Sequence, residues 1–244
     1  MGPDTDLREL AHVLEQTYGR GRNHRLQPSV SGEPDTPLGT LIVTILSQAS
    51  TDARTRPIYR ELISTFPDWD QLASAHPERV EEILRPGGLA RQKRRYVQGV
   101  LRRIHSDMGG YCLDQLRNWT DEDCYQYLTS LPGVGLKTAA CVLLFGLGRD
   151  VFPVDTHVAR ICRRLGLVDA AAPPERIHRQ LHRLVPPGRA LDLHLNLLEH
   201  GRKVCRASGP DCAGCPVRHL CAWGTEDQPS GMPASDLGRA ERKK

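Results

Sequence analysis

The sequence has no apolar run long enough to cross a membrane. Its longest, "AACVLLFGLG" (139–148), falls well short of the roughly 18 residues a spanning helix needs. It opens on "MGPDTDLREL", which is acidic and polar and has no signal-peptide pattern, so a cytoplasmic protein is expected. Strands with alternating polarity are missing over any useful length. Lysine is scarce: of 33 basic residues, 28 are arginine and five are lysine, two of these at the very end. A guanidinium does not deprotonate in a protein and a lysine amine can, so each internal lysine raises a question about chemistry. Acid is absent from "RPGGLARQKRRYVQGVLRRIH" (85–105), which holds seven Arg or Lys. A patch of one sign either attracts a polyanion or is a solvated helix face.

What is present is helical periodicity, and the expected fold class is all-α. Leu7, Leu10, Ala11, Leu14 and Tyr18 mark a first helix. Leu38, Leu41, Ile42, Ile45 and Leu46 mark a second. Ile58, Leu62 and Ile63 give a third, closed by Phe66-Pro67. Short helices are expected around 71–74 and 78–84. Val97, Val100, Leu101 and Ile104 give the basic segment one apolar face, leaving its arginines to water or a ligand. Thr120 caps a helix rich in acid at its start. Further helices are expected near 136–147, 156–165, 175–185 and 189–204. Residues 19–37 read as a loop and 225–244 as a disordered tail. There are eight cysteines. Cys141 and Cys162 lie among apolar neighbours and read as buried thiols. Cys205, Cys212, Cys215 and Cys221 crowd together with spacing C-x6-C-x2-C-x5-C, which suits a metal centre better than disulfides. Spacing alone leaves zinc and iron–sulfur open.

"YLTSLPGVGLKTAACVLL" reads as helix, tight turn, helix. Pro132 stops the first helix, and Gly133 and Gly135 are expected to allow positive φ and leave the backbone N–H groups bare at the next helix start, where an anion is favoured. "VDTH" follows, with Asp155 placed to cap a helix from Thr156 to Gly166.

The hairpin, Lys137 two residues after its second glycine, Asp155 18 residues later and the four terminal cysteines together resemble the endonuclease III group of helix-hairpin-helix DNA glycosylases. The resemblance covers most of residues 5–224. It implies two lobes: a six-helix barrel lobe over 36–149 and an iron–sulfur lobe from 5–35 and 150–224, with a DNA groove between them. It implies a bifunctional DNA glycosylase and abasic-site lyase acting on oxidised pyrimidines in double-stranded DNA, working as a monomer without a membrane. Lys137 is then the nucleophile and Asp155 the catalytic carboxylate. The positive end of the helix dipole would favour the free amine of Lys137. The four cysteines hold a [4Fe–4S] cluster, and Lys203 and Arg206 beside them touch DNA. Gly133, Gly135 and Thr138 contact a phosphate.

Base extraction is implied to come from the loops "LSQASTD" (46–52) and "GGLARQK" (87–93), with Leu89 at a wedge position and Gln48 near the plug position. That plug position, commonly Gln or Asn in the family, is Ala49 here. Asp52 and His157 read as structural. The segment between Leu89 and Lys137 is longer than the family leads one to expect. Two further readings are a monofunctional mismatch or adenine glycosylase of the same fold, and a weakly active DNA-binding paralogue. Lys137 and the short tail argue against the first; keeping both Lys137 and Asp155 argues against the second.

Overall fold

The structure, a computed structural model, describes residues 7–20 and 36–225. Most of the expected 19–37 loop and nearly all of the 225–244 tail fall outside them. Among the described residues all regular elements are helical, as expected, and no helix is long and apolar enough to cross a membrane. The chain divides into two compact units, one of Met1–Gln27 with Val154–Lys244 and the other Pro28–Pro153.

The first unit opens with α1 (Leu7–Tyr18), whose Leu7, Leu10, Ala11 and Leu14 are buried at the spacing of one helix face. The second unit runs from α2 (Pro37–Ser47) through α3 (Asp52–Thr65), α4 (Trp69–Ser74), α5 (Pro77–Leu84) and a 3-10 turn at Arg85–Gly87 to the long α6 (Ala90–Met108). It closes with α7 (Asp121–Ser130), α8 (Leu136–Cys141) and a π turn at Val142–Gly146. Local chemistry sets several of these starts. Thr36 caps α2 by accepting from the Gly39 N–H at 3.0 Å, with Pro37 in the first turn. Thr120 caps α7 by accepting from the Asp123 N–H at 3.1 Å. The single helix expected over 136–147 instead changes register after Cys141, where Leu147 N–H reaches back five residues to Val142 O at 3.0 Å.

The core of this unit gathers Leu41, Ile42 and Ile45 of α2, Leu62 of α3, Val97, Leu101 and Ile104 of α6 and Leu128 of α7, all buried. Each such side chain contributes about 1.5–3 kcal/mol by leaving water. Polar side chains of α6 complete the end of α4. Gln98 is buried and donates to Leu72 O at 3.1 Å and Ala75 O at 2.8 Å, and Arg102 donates to Ala73 O at 3.1 Å. These carbonyls have no partner inside their own helix.

The basic patch expected on α6 is outward-facing for most of its arginines, but several of them are engaged by neighbours. Arg102 is occupied at α4, Arg94 pairs with Glu81 at 3.0 Å and Arg103 with Asp107 at 2.6 Å. Lys93 is buried. The acids come from outside the acid-free window, which is why the sequence hid them. Arg102 and Arg103 stay exposed all the same, as do Arg85, Arg91 and Arg95 around the start of α6. The long segment before the hairpin is pinned by Arg149, which donates to Leu116 O at 2.6 Å and Trp119 O at 2.7 Å and pairs with Asp121.

The chain then returns to the first unit with α9 (Thr156–Leu165), α10 (Pro174–Leu184) and α11 (Ala190–Lys203). Both α1 and α9 pack on α11. Tyr18 Oη and His200 Nδ1 meet at 2.9 Å. Cys141 and Cys162 are buried, and burial pushes the Cys162 thiol up to about 12.

Candidate active site and cysteine loop

The hairpin is built from α7, a turn and α8. Val134 N–H bonds Leu131 O at 3.2 Å across the turn. Gly133 takes φ 74°, and a Cβ there would stand 2.3 Å from the Tyr96 ring. Both backbone and space require glycine at that position. Gly135 differs from expectation: its φ is −101°, and a Cβ would meet nothing within 4 Å. Packing does not demand this second glycine. Its missing side chain leaves open space beside the helix start.

Lys137 is the second residue of α8 and is half-buried. The first-turn N–H groups beside it have no intrahelical partner, and their dipole places partial positive charge there. Thr138, the next residue, is only 5% exposed and packs into its unit.

Gln48 ends α2 and donates from Nε2 to Gly133 O at 3.0 Å, tying the 48–51 turn to the hairpin. Beyond it, Ala49 has φ 50°. Leu89 has φ 53° and is 53% exposed, between Gly88 and the first turn of α6. Among the described residues these are the two non-glycine positions with positive φ, and they occupy the two loops singled out in the sequence for base extraction. Backbone strain of this kind, costing about 1–3 kcal/mol per residue, persists where the surroundings impose it and gathers at functional sites.

Asp155 lies in the other unit. It caps α9 by accepting from the Val158 N–H with Oδ1 at 2.8 Å, and the helix ends at Gly166 with φ 78°. The cap fixes the carboxylate at the helix mouth. His157 follows: its Nδ1 meets Arg160 Nη2 at 3.0 Å, and a Cβ on Gly201 of α11 would come within 2.7 Å of that nitrogen. Burial holds the His157 imidazole below its usual range.

Arg160 and Arg164 of α9 reach the cysteine loop. Arg160 donates to Gly201 O at 3.0 Å and Cys205 O at 2.9 Å. Arg164 lies 3.8 Å over the Trp223 ring and donates to Cys205 Sγ at 3.2 Å and Arg206 O at 2.7 Å. Sequence reasoning missed both arginines; three- and four-residue spacing on a strongly amphipathic helix was the available signal. Cys205, Cys212, Cys215 and Cys221 are all free thiols. Burial, with the charges of Cys205, Cys221 and Cys212 acting in the same direction, pushes the Cys215 thiol up to about 11. Four thiolates that repel one another suit a cationic metal core, which relieves that repulsion when it binds. Among the described residues no three metal-binding side chains converge on one point. Lys203 pairs with Glu199, and Arg206 donates to Gly209 O at 2.7 Å; both remain exposed.

The sequence profile of the HhH-GPD superfamily base excision DNA repair proteins matches residues 42–187. Endonuclease III of Synechocystis sp. is 36% identical over 76% of this chain and 81% of its own length. A candidate DNA glycosylase of Arabidopsis thaliana is 36% identical over 71% of this chain, which spans 59% of that protein's length. Among solved structures, a non-covalent endonuclease III–DNA complex superposes with a TM-score of 0.78 at 25% identity, covering 92% of this chain and 97% of that one. A trapped endonuclease III–DNA covalent intermediate gives 0.76 at 26% identity, covering 92% and 98%.

Proposed function

This chain belongs to the endonuclease III family of HhH-GPD base excision DNA repair proteins, DNA glycosylases and abasic-site lyases, and from that premise we propose that it removes oxidised pyrimidines with Lys137 as nucleophile and Asp155 as its carboxylate. The observation that carries the reading is the seat of Lys137: half-buried in the first turn of α8, directly after a hairpin whose Gly133 the fold requires. The helix dipole there disfavours an ammonium and favours an amine that can attack.

The hairpin N–H groups hold a phosphate, a contact that positions DNA without reading sequence. Exposed Arg85, Arg91 and Arg95 add counter-charge near Leu89. The damaged nucleotide leaves the stack, because no side chain can reach its C1′ inside a duplex. Leu89 enters the gap as a wedge. Lys137 Nζ attacks C1′, and the base departs with the glycosidic electron pair. Asp155 accepts the proton from the amine and stabilises positive charge developing on the sugar. The C1′–O4′ bond then opens, O4′ taking a proton to become the 4′ hydroxyl, and C1′ and Nζ form a Schiff base; this acidifies the C2′ proton, whose removal expels the 3′ phosphate by β-elimination. The protein works on double-stranded DNA as a monomer.

We read Pro28–Pro153 as the hairpin lobe and the other unit as the cluster lobe. Cys205, Cys212, Cys215 and Cys221 would hold a [4Fe–4S] cluster, which ties the 205–221 loop together where it has little apolar core of its own. Arg164 would donate its hydrogen bond to one of the ligating sulfurs. Purified protein is then expected to be brown, with absorption near about 400 nm, and Cys212→Ser to lose that colour.

Borohydride trapping on duplex DNA with an abasic site tests the chemistry. Wild type is expected to form a covalent adduct and Lys137→Gln none, while Lys137→Gln still binds DNA. An adduct of undiminished yield from Lys137→Gln would remove this lysine from the reaction.

A further inference from the structure

Lys93 lies in the most basic stretch of the sequence but is only 2% exposed. Its Nζ donates to Gly87 O at 2.8 Å. Its own backbone N–H bonds Leu89 O at 2.9 Å. One residue thus holds the carbonyls of both Gly87 and Leu89. Between them the chain passes through two successive positive-φ residues, Gly88 at φ 71° and Leu89, left-handed, at φ 53°. Leucine does not adopt that conformation unaided, and Leu89 is the most exposed large apolar side chain among the described residues.

The same spot reaches the other strained loop. A Cβ on Gly87 would lie 2.8 Å from Ile58 Cδ1 of α3, 3.6 Å from Lys93 Nζ and 4.0 Å from Ser50 Oγ. Ser50, next to left-handed Ala49, has a buried hydroxyl with no hydrogen-bond partner. The 85–89 turn is therefore seated against α3 and the 48–51 turn, with the ammonium at the junction.

An ammonium buried on a single carbonyl is costly, and burial lowers the Lys93 amine below the usual lysine range. An apolar side chain would pack the site with less penalty. What it could not do is grip Gly87 O. We propose that Lys93 is the positioning residue of the base-everting wedge: it clamps the backbone on either side of Leu89 so that this side chain stands ready before DNA arrives. The proposal rests on the reading of Leu89 as the wedge. Lys93 touches no reacting atom, and with Nζ enclosed against Gly87 O it is not a second nucleophile.

The test compares two duplexes, one carrying an oxidised pyrimidine and one a preformed abasic site, where no base need be unstacked. Single-turnover rates are measured for wild type, Lys93→Met, Leu89→Ala and the double variant. Lys93→Met is expected to slow base excision on the order of tenfold and abasic-site cleavage by about twofold or less. The double variant should be no slower than Leu89→Ala alone. In parallel, 2-aminopurine beside the lesion should report less unstacking with Lys93→Met. Equal losses on both duplexes, no loss on either, or losses that multiply in the double variant would overturn the positioning role while leaving the wedge intact. Unchanged base excision by Leu89→Ala would instead remove the wedge reading, and this proposal with it.

Discussion

Ala49 holds a left-handed backbone with a Cβ attached, at the position where the family commonly has Gln or Asn. Asparagine tolerates that conformation better than alanine does, because its side chain can hydrogen-bond locally. Ala49→Asn is therefore expected to fold without loss and to raise excision of oxidised pyrimidines several-fold, read by single-turnover kinetics. Ala49→Gly should relieve the strain and stabilise the protein by about 1 kcal/mol in urea unfolding, without the gain in excision. Gly133 gives the opposite case. Gly133→Ala meets both the positive φ and the Tyr96 ring, and should cost more than about 1 kcal/mol while weakening DNA binding. At this scale the sequence was legible where chemistry is local. Asp155 as a cap needed only its neighbours. The seat of Lys93 was not legible, because a lysine among arginines reads as surface. Nor was the Gln48 bond to Gly133 O, which joins residues 85 positions apart.

Helix α6 shows what periodicity can and cannot tell. Val97, Val100, Leu101 and Ile104 were rightly read as its buried face. Its cations divide in a way no helical wheel shows: Arg94 and the exposed Arg103 are paired, the exposed Arg102 serves α4, and Arg85, Arg91 and Arg95 are exposed near its start. Each exposed arginine that meets a phosphate releases about one counterion. Arg91→Gln should lower the salt slope of DNA binding by about one, whereas Arg103→Gln should leave it unchanged; fluorescence anisotropy across salt concentrations measures both. On α10, burial and then the charge of His182 hold the His178 imidazole below its usual value. An unfolded histidine takes up a proton below about pH 6.5, and the folded one resists it. Stability is thus complete above that pH and falls as pH drops below it. His178→Leu should flatten this acid limb in thermal melts recorded between about pH 6.5 and 5.

The whole molecule places its two candidate catalytic groups on different units, Lys137 in Pro28–Pro153 and Asp155 in the unit made from both ends of the chain. Helices and their order were readable from apolar spacing, since each helix buries one stripe. The π turn after Cys141 was not, because a five-residue backbone bond leaves no mark on polarity. The proposed chemistry depends on one amine making the bond to DNA. The internal lysines are only Lys93, Lys137 and Lys203, so peptide mapping by mass spectrometry of the borohydride-trapped adduct decides among them. The sugar remnant is expected on the peptide containing Lys137. Finding it on Lys93 or Lys203, or finding strand cleavage with no trapped lysine at all, would contradict the account.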